Sequence, residues 1–339
     1  MTALRGLERI ASAVMASDFQ HPEVLEWFDR RTFGPSKPGP FTPDPQLIGE
    51  LKRERGLRVS VCLPALNEQT TIGDICTSIR SELIERIGLV DELVVVDSGS
   101  EDDTVAVARA AGADVHRGAD VLPERGHVLG KGEALWKSLA VSNGDLICWC
   151  DSDIRNFDPS FLIGLLTPLL IDDDIKMTKG FYRRPLDGDP TGGGRVTELV
   201  VRPLLHLLYP QLTGLIQPLS GEYALRREVA NELPFFTHYA VDLGLLIDFV
   251  ERHGLSALAQ VDLGIRLHRN QDTLSLGKMS HQIMRGVLHR LDALGRIKLT
   301  EDLADSLVQF VVTDNGPAAV RFDQEIIERP AMANILLPT

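Results

Sequence analysis

Between Arg58 and Asp153 short apolar runs alternate with helix-forming segments, and this alternation constrains the fold more than any other feature of the chain. Val59–Ser60–Val61–Cys62–Leu63–Pro64 is rich in β-branched residues and stopped by proline, so it reads as a buried strand. A helix is expected from about Thr71 to Ile87. Glu92–Leu93–Val94–Val95–Val96–Asp97 is a second strand, halted by Ser98–Gly99–Ser100. Another helix begins near Asp103, where acidic side chains suit a helix N-terminus. Asp114–Val115–His116 reads as a third strand, Lys131 to Ser142 as a helix, and Asp145 to Cys150 as a fourth strand running into Asp151. Strands linked this way form a parallel sheet with helices on both faces, an α/β architecture. Ligands of such sheets bind beyond the carboxyl ends of the strands. That directs attention to Asn67, Glu68, Asp97, Ser98, Asp151 and Asp153, all polar.

The second half is more mixed. Ile175 to Tyr182 reads as a strand, Thr191 to Gly194 as a flexible loop and Val196 to Tyr209 as a helix. Ser220 to Leu225 is a further strand, Val241 to His253 a helix, Gln260 to Leu267 a strand ending at His268, and Ser275 to Leu294 a long amphipathic helix. Residues 1–57 form an N-terminal extension, expected to pack on the core or on a second subunit.

A chain of 339 residues with 44% hydrophobic and 24% charged residues is an ordinary globular mixture, which excludes disordered and fibrous classes. Its formal charge of −13 offers no general attraction to nucleic acid. A phosphorylated ligand must therefore meet local cations, a metal ion, or both. Cys62, Cys76, Cys148 and Cys150 form no CxxC pair and read as small buried side chains. Without a disulfide framework or a charged-then-apolar leader, a reducing, cytoplasmic setting is expected. Apolar stretches such as Phe161 to Ile171 fall short of the roughly 20 residues that span a bilayer, so no membrane partner is expected.

Several clusters carry chemistry. Asp151–Ser152–Asp153 follows a buried strand, and residues two apart in extended chain face one side. Two hard oxygen donors suit Mg²⁺ or Mn²⁺, with remaining ligands from water and substrate phosphates. His268 closes a later strand among Arg269 and Asn270 and is a candidate imidazole ligand of the same ion. Gly130–Lys131–Gly132–Glu133 opens a helix with free N–H groups and a cation, a possible diphosphate cradle without the Walker A spacing. Gly192–Gly193–Gly194–Arg195–Val196–Thr197 is a stronger anion site, with Arg183 and Arg184 upstream.

The ordered set Pro64–Ala65–Leu66–Asn67–Glu68, Asp97 to Ser100, Gly130 to Trp136, Asp151–Ser152–Asp153, Phe181 to Pro185, Gly192 to Leu199, Gln217 to Tyr223 and His268–Arg269–Asn270 resembles glycosyltransferase family 81, the glucosyl- and mannosyl-3-phosphoglycerate synthases. The resemblance spans about residues 58 to 275. It implies a GT-A fold, a homodimer, and Mg²⁺- or Mn²⁺-dependent transfer, with retention, from a nucleotide-diphosphate sugar to the 2-hydroxyl of D-3-phosphoglycerate. Pro64, Ala65, Leu66, Glu68, Ser98, Lys131, Asp151, Ser152 and Asp242 then bind the donor. Gly193, Gly194, Arg195, Val196, Thr197 and Asn270 bind the acceptor. Asp153 and His268 hold the metal, and Asp151, Asp153, Asp242 and Arg195 carry the catalysis. The chain divides into an extension (1–57), a nucleotide-sugar half (58–153), an acceptor half (154–274), and a C-terminal helix and tail (275–339) available for dimer contacts.

One departure bears on the donor. Where the glucosyl enzymes carry Gly-Val-Glu, this chain has Ala240–Val241–Asp242. A carboxylate one methylene shorter moves its acceptor oxygens by roughly 1 Å, and polar pockets discriminate on such placement. The expectation is therefore mannosyl transfer from GDP-mannose, with glucosyl transfer from UDP-glucose or GDP-glucose as the alternative. A sugar nucleotidyltransferase is a distant third, because the segment after the first strand lacks the Gly-rich run ending in Thr-Arg which that class uses.

Overall fold

The computed structural model describes residues 21–35, 43–185, 193–267 and 271–336. Eight strands form one sheet: β1 (Thr32–Phe33), β2 (Val59–Ala65), β3 (Glu92–Asp97), β4 (Asp114–Arg117), β5 (Leu146–Trp149), β6 (Met177–Arg183), β7 (Tyr223–Arg226) and, after the short β8 (Phe235–Phe236) outside it, β9 (Leu258–Ile265). Their order is β1-β9-β6-β7-β5-β2-β3-β4. The pairs β1–β9, β9–β6, β5–β2, β2–β3 and β3–β4 are parallel, whereas β7 runs antiparallel to both its neighbours. This mostly parallel sheet with helices is the expected GT-A-like arrangement.

The continuous apolar runs follow from burial on both faces. Cys62, Val94, Val96, Ile147 and Trp149 join one core cluster, while Val61, Leu63, Val95, Leu146 and Cys148 join the other. Successive strand residues thus alternate between the two faces. All four cysteines are buried and unpaired. Among the described residues no helix is long and apolar enough to cross a membrane.

The reversed β7 matters for function. Its first residue, Tyr223, pairs with Trp149, the last residue of β5. The entry to β7 is thereby brought beside the exit from β5, so Gly221 and Glu222 lie next to Asp151. Arg183 and Ile265 pair at the corresponding ends of β6 and β9. The ends of β5, β6 and β9 and the start of β7 therefore converge on one edge of the sheet.

Several element bounds differ from expectation, each for a local reason. Ser220 bends to accept from the Glu222 N–H at 3.2 Å, so β7 begins three residues later than expected. β9 starts at Leu258 and stops at Ile265, two residues earlier than expected, although the Arg266 N–H still donates to the Arg183 carbonyl. The helix from Lys131 ends at Ser138 rather than Ser142. The helix from Ile72 widens into π-type turns over Ile79–Arg86, as does the start of the helix ending at Leu208, over Thr197–Val201. Ser160–Ile171 is a helix buried from Phe161 to Leu170. A helix apolar on every side has no periodicity to betray it.

The C-terminal segment holds an element the sequence reading missed. β10 (Ser306–Thr313) and β11 (Gly316–Asp323) form a hairpin with Thr313 opposite Gly316, and β12 (Glu328–Arg329) pairs with β8. Asp314 and Asn315 form the two-residue turn, and Gly316, which follows at φ 105°, takes a conformation that glycine favours. At the other end, the helix Glu23–Arg31 buries Trp27, whose Nε1 donates to the Leu258 carbonyl at 2.8 Å, and β1 then extends the sheet. The described part of the N-terminal extension packs on the core.

Gly132 lets the helix Lys131–Ser138 dock against β8. A Cβ there would fall 2.0 Å from the Phe236 carbonyl oxygen, and its N–H donates to the His238 carbonyl at 3.3 Å. Backbone cannot yield as a flexible side chain does. Gly132→Ala is therefore expected to lower unfolding free energy by about 1–3 kcal/mol, as overpacking does. Denaturant unfolding checks this; an unchanged midpoint contradicts the close approach.

Candidate active site

The converging strand ends enclose a cavity of about 490 Å³, a size that suits a small-molecule ligand. Each wall is built locally. Beyond β3 the Asp97 carboxylate accepts from the N–H groups of Gly99 and Ser100, folding the turn that presents Ser98. Asn67, in the left-handed region at φ 58°, accepts from the Glu101 N–H and so ties the end of β2 to this turn. Ser152 donates to the Pro64 carbonyl at 2.7 Å, and Thr71 donates to the Ser152 carbonyl at 2.6 Å. The loop holding both aspartates is thereby fastened to β2 and its following helix.

Fifteen residues expected at the site line this one cavity: Pro64, Ala65, Leu66, Glu68, Ser98, Lys131, Asp151, Ser152, Asp153, Gly193, Gly194, Arg195, Val196, Thr197 and Asp242. They come from segments up to 178 positions apart (Pro64 to Asp242). Gly192, His268 and Asn270 lie outside the described residues. Leu267, the residue before His268, is held to the loop after Asp153. Its N–H donates to Asn156 at 2.7 Å and its carbonyl accepts from the Arg155 N–H at 2.9 Å.

The hub of the site was missed in the sequence. Arg266, 2% exposed, donates through Nη2 to Asp151 at 3.0 Å and to Asp153 at 2.6 Å. Its Nη1 donates to Glu222 at 3.0 Å and to the Tyr182 hydroxyl at 2.5 Å. Burial works against the guanidinium charge, but Glu222, Tyr182, Asp151 and Asp153 outweigh it and hold the group well above its usual range. Lys131 Nζ lies 3.0 Å from Asp151 and 3.2 Å from Asp242. Burial opposes the Asp151 carboxylate, yet Lys131 and Arg266 prevail and keep it ionised well below the ordinary range. The available signal was an arginine inside a strand-like run, where a charge needs a buried partner.

Gly221 explains how Asp151 fits. A Cβ at that position would fall 2.1 Å from its carboxylate. Leu276, Met279 and Ile283, from the helix Thr273–Ala293, form an apolar wall of the cavity that the sequence reading did not assign to it.

A divalent ion fits the donor chemistry. One oxygen of Asp153 is taken by Arg266, and the other carries no hydrogen bond among the described residues. Also among those residues, no group of three or more His, Cys, Asp or Glu side chains is arranged to enclose an ion. Such a sparse set leaves positions for substrate phosphates, as Mg²⁺ sites commonly do.

Beneath the site, Lys179 is buried, donating to the Ser220 carbonyl at 2.9 Å with its ammonium 4.3 Å from the Tyr223 ring centre. Burial lowers its pKa from 10.5 to about 8, against the pull of Asp242. Between those two values the unfolded chain binds the proton and the folded chain does not, so this lysine adds stability as pH rises. The wild type should gain stability relative to Lys179→Met from pH 8 to pH 10 in denaturant unfolding. A constant difference across that window contradicts the assignment.

The comparisons with known proteins agree with this geometry. The family model Glycosyl transferase family 2 matches residues 60–232. A glucosyl-3-phosphoglycerate synthase from Petrotoga mobilis is 46% identical over 310 residues, covering 90% of this chain and 94% of that protein. The solved structure of mannosyl-3-phosphoglycerate synthase from Rubrobacter xylanophilus superposes with a TM-score of 0.85 at 39% identity, covering 93% of this chain and 98% of that one. Glucosyl-3-phosphoglycerate synthase from Mycobacterium tuberculosis, solved with Mn²⁺, uridine diphosphate and phosphoglyceric acid, superposes with a TM-score of 0.78 at 43% identity, over 89% and 98% of the two chains. The chain is a glycosyltransferase, belonging to glycosyl transferase family 2 and to the family of the glucosyl- and mannosyl-3-phosphoglycerate synthases.

Proposed function

We propose that the chain transfers a hexose, with retention, from a nucleotide-diphosphate sugar to the 2-hydroxyl of D-3-phosphoglycerate. The observation that carries this reading is a single cavity with two electrostatic ends. At one end the carboxylates of Asp151, Asp153, Asp242 and Glu222 are only partly offset by Lys131 and Arg266, which leaves a net negative charge for a metal ion. At the other, Arg195 stands beside Gly193, Gly194, Val196 and Thr197 with only a carbonyl, that of Gln271, as its hydrogen-bond partner among the described residues. The first end suits a metal-bound diphosphate and sugar; the second suits an anionic acceptor.

In this proposal Pro64, Ala65, Leu66, Glu68 and Ser98 hold the nucleoside, and Lys131 faces the diphosphate. Asp151, Ser152 and Asp242 address the sugar. The second oxygen of Asp242 is buried on the side of the Tyr223 hydroxyl, and a sugar hydroxyl would add a further donor to it. Asp153 and His268 would hold Mg²⁺ or Mn²⁺, whose contribution is to neutralise charge on the departing diphosphate. Arg195, the glycine loop and Asn270 orient the acceptor so that its hydroxyl meets the anomeric carbon within one complex. Most donor contacts fall to residues 58–153 and the acceptor contacts to 154–274, which also lends Asp242 and His268 to the donor end.

Two observations bear on the sugar. The curated relatives are glucosyl enzymes, which favours glucose. Asp242 in place of the longer glutamate, together with the Rubrobacter xylanophilus neighbour, favours mannose. A cytoplasmic homodimer belongs to the same reading, with residues 275–339 providing dimer contacts. There the hairpin β10–β11 exposes Phe310 and Val312 at 82% and 88%.

A panel of UDP-glucose, GDP-glucose and GDP-mannose against 3-phosphoglycerate with Mg²⁺ tests the proposal. Release of nucleoside diphosphate that requires 3-phosphoglycerate is expected with at least one donor. Asp153→Ala should lower that turnover by two or more orders of magnitude, in line with losing electrostatic stabilisation of a leaving group. No acceptor-dependent release with any donor, or full activity in Asp153→Ala, rejects the assignment.

A further inference from the structure

One arginine in the cavity, which the sequence places only upstream of the glycine loop, has no assigned role in the proposed function. Arg184 follows β6 and lines the cavity with Arg195. Its Nη2 donates to the Tyr182 hydroxyl at 2.6 Å, and its guanidinium carbon lies 4.9 Å from the centre of that ring. Its Nε is buried without a hydrogen-bond partner among the described residues. No carboxylate there forms an ion pair with it either. Other arginines of this chain show what a structural role looks like. Arg329 forks onto Glu133 at 2.7 and 2.8 Å, and Arg266 meets three carboxylates. Arg184 has a neutral hydroxyl and an aromatic face instead. These orient a guanidinium without neutralising it.

Tyr182 does more than touch Arg184. It is 3% exposed, and its one hydroxyl oxygen also accepts from Arg266, whose guanidinium carbon lies 5.2 Å from the ring centre. Two cations therefore share one neutral oxygen, and only Arg266 has its charge matched by protein carboxylates. The unmatched charge is costly in a partly dry cavity until an anion arrives. The Arg184 carbonyl also accepts from the Gly193 N–H at 3.0 Å, which ties this residue to the glycine loop. A Cβ on Gly193 would fall 2.5 Å from the Arg184 Cβ, so the two backbones approach as closely as glycine permits.

We infer that Arg184 is a second acceptor-binding cation, paired with Arg195 on the anionic groups of the acceptor, and that Tyr182 is the positioning residue that holds it there. A substrate bearing both phosphate and carboxylate presents two anionic groups, and two unmatched guanidinium groups flank the loop that would receive it. The inference rests on the acceptor reading proposed above. It adds a link from acceptor to donor end: Arg184, the Tyr182 hydroxyl, Arg266 and the pair Asp151 and Asp153 form one hydrogen-bonded chain.

The test compares wild type, Arg184→Met, Arg184→Lys and Tyr182→Phe. Donor KM, acceptor KM and kcat are measured, together with calorimetric binding of 3-phosphoglycerate without donor. Arg184→Met should weaken acceptor binding about ten- to a hundredfold, the usual loss for a charge-assisted hydrogen bond, while donor KM stays within about twofold. Arg184→Lys should recover part of that loss, since charge returns without the fork. Tyr182→Phe should shift acceptor KM in the same direction by less. If Arg184→Met does not fold, the same acceptor-against-donor split in the other two variants decides. Unchanged acceptor binding in these variants, or an equal rise in both KM values, overturns the inference while leaving the enzyme's reaction intact. A wild type that neither binds nor uses 3-phosphoglycerate rejects the acceptor reading and this inference with it.

Discussion

The site depends on a buried guanidinium placed among carboxylates. Asp151, Asp153 and Glu222 converge where β5 ends and β7 begins, and their mutual repulsion would open that junction if nothing opposed it. Arg266 is the group that opposes it, with Lys131 supporting Asp151 from the other side. Removing either partner of such a pair leaves an uncompensated buried charge, which costs far more than the pair gains. The reversed strand β7 serves this junction. Only an antiparallel neighbour can bring a strand start beside the exit of β5, and Gly221 supplies the space that the Asp151 carboxylate fills.

The same arrangement resolves a difficulty posed by composition. A chain of net charge −13 must receive ligands that are themselves negative. It does so by spending its cations unevenly. Near Asp151 two cations, Lys131 and Arg266, face four carboxylates, those of Asp151, Asp153, Asp242 and Glu222, leaving a net negative end that suits a metal ion. Arg184 and Arg195 are matched by none among the described residues, leaving a positive end. In the proposed function this difference in charge within one cavity helps to separate donor from acceptor.

Much of this was legible in the chain. The runs Val59 to Pro64 and Glu92 to Asp97 read as strands of a sheet buried on both faces, and the polar residues at their carboxyl ends point to the edge where the cavity lies. Fifteen of the site residues were named from such positions and from the resemblance, and all line one cavity. What stayed hidden depends on long-range partners. Arg266 is 115 positions from Asp151, and nothing local announces that it points inward. Ser160–Ile171 carries no periodic pattern because every side is buried. The hairpin β10–β11, turning at Asp314–Asn315, lies beyond the alternating strand and helix pattern from which the other strands are read. The direction of β7 follows from pairing with two other strands, which no single strand sequence encodes.

The division of the cavity is the central claim, and a crystal structure with Mn²⁺, nucleoside diphosphate and 3-phosphoglycerate bound tests it most directly. Anomalous scattering should place the ion within coordination distance of the Asp153 oxygen that Arg266 leaves free, and the acceptor phosphate and carboxylate should lie between the glycine loop and the two unmatched arginines. An ion found away from Asp153, or an acceptor seated against Asp151 and Asp242, contradicts it.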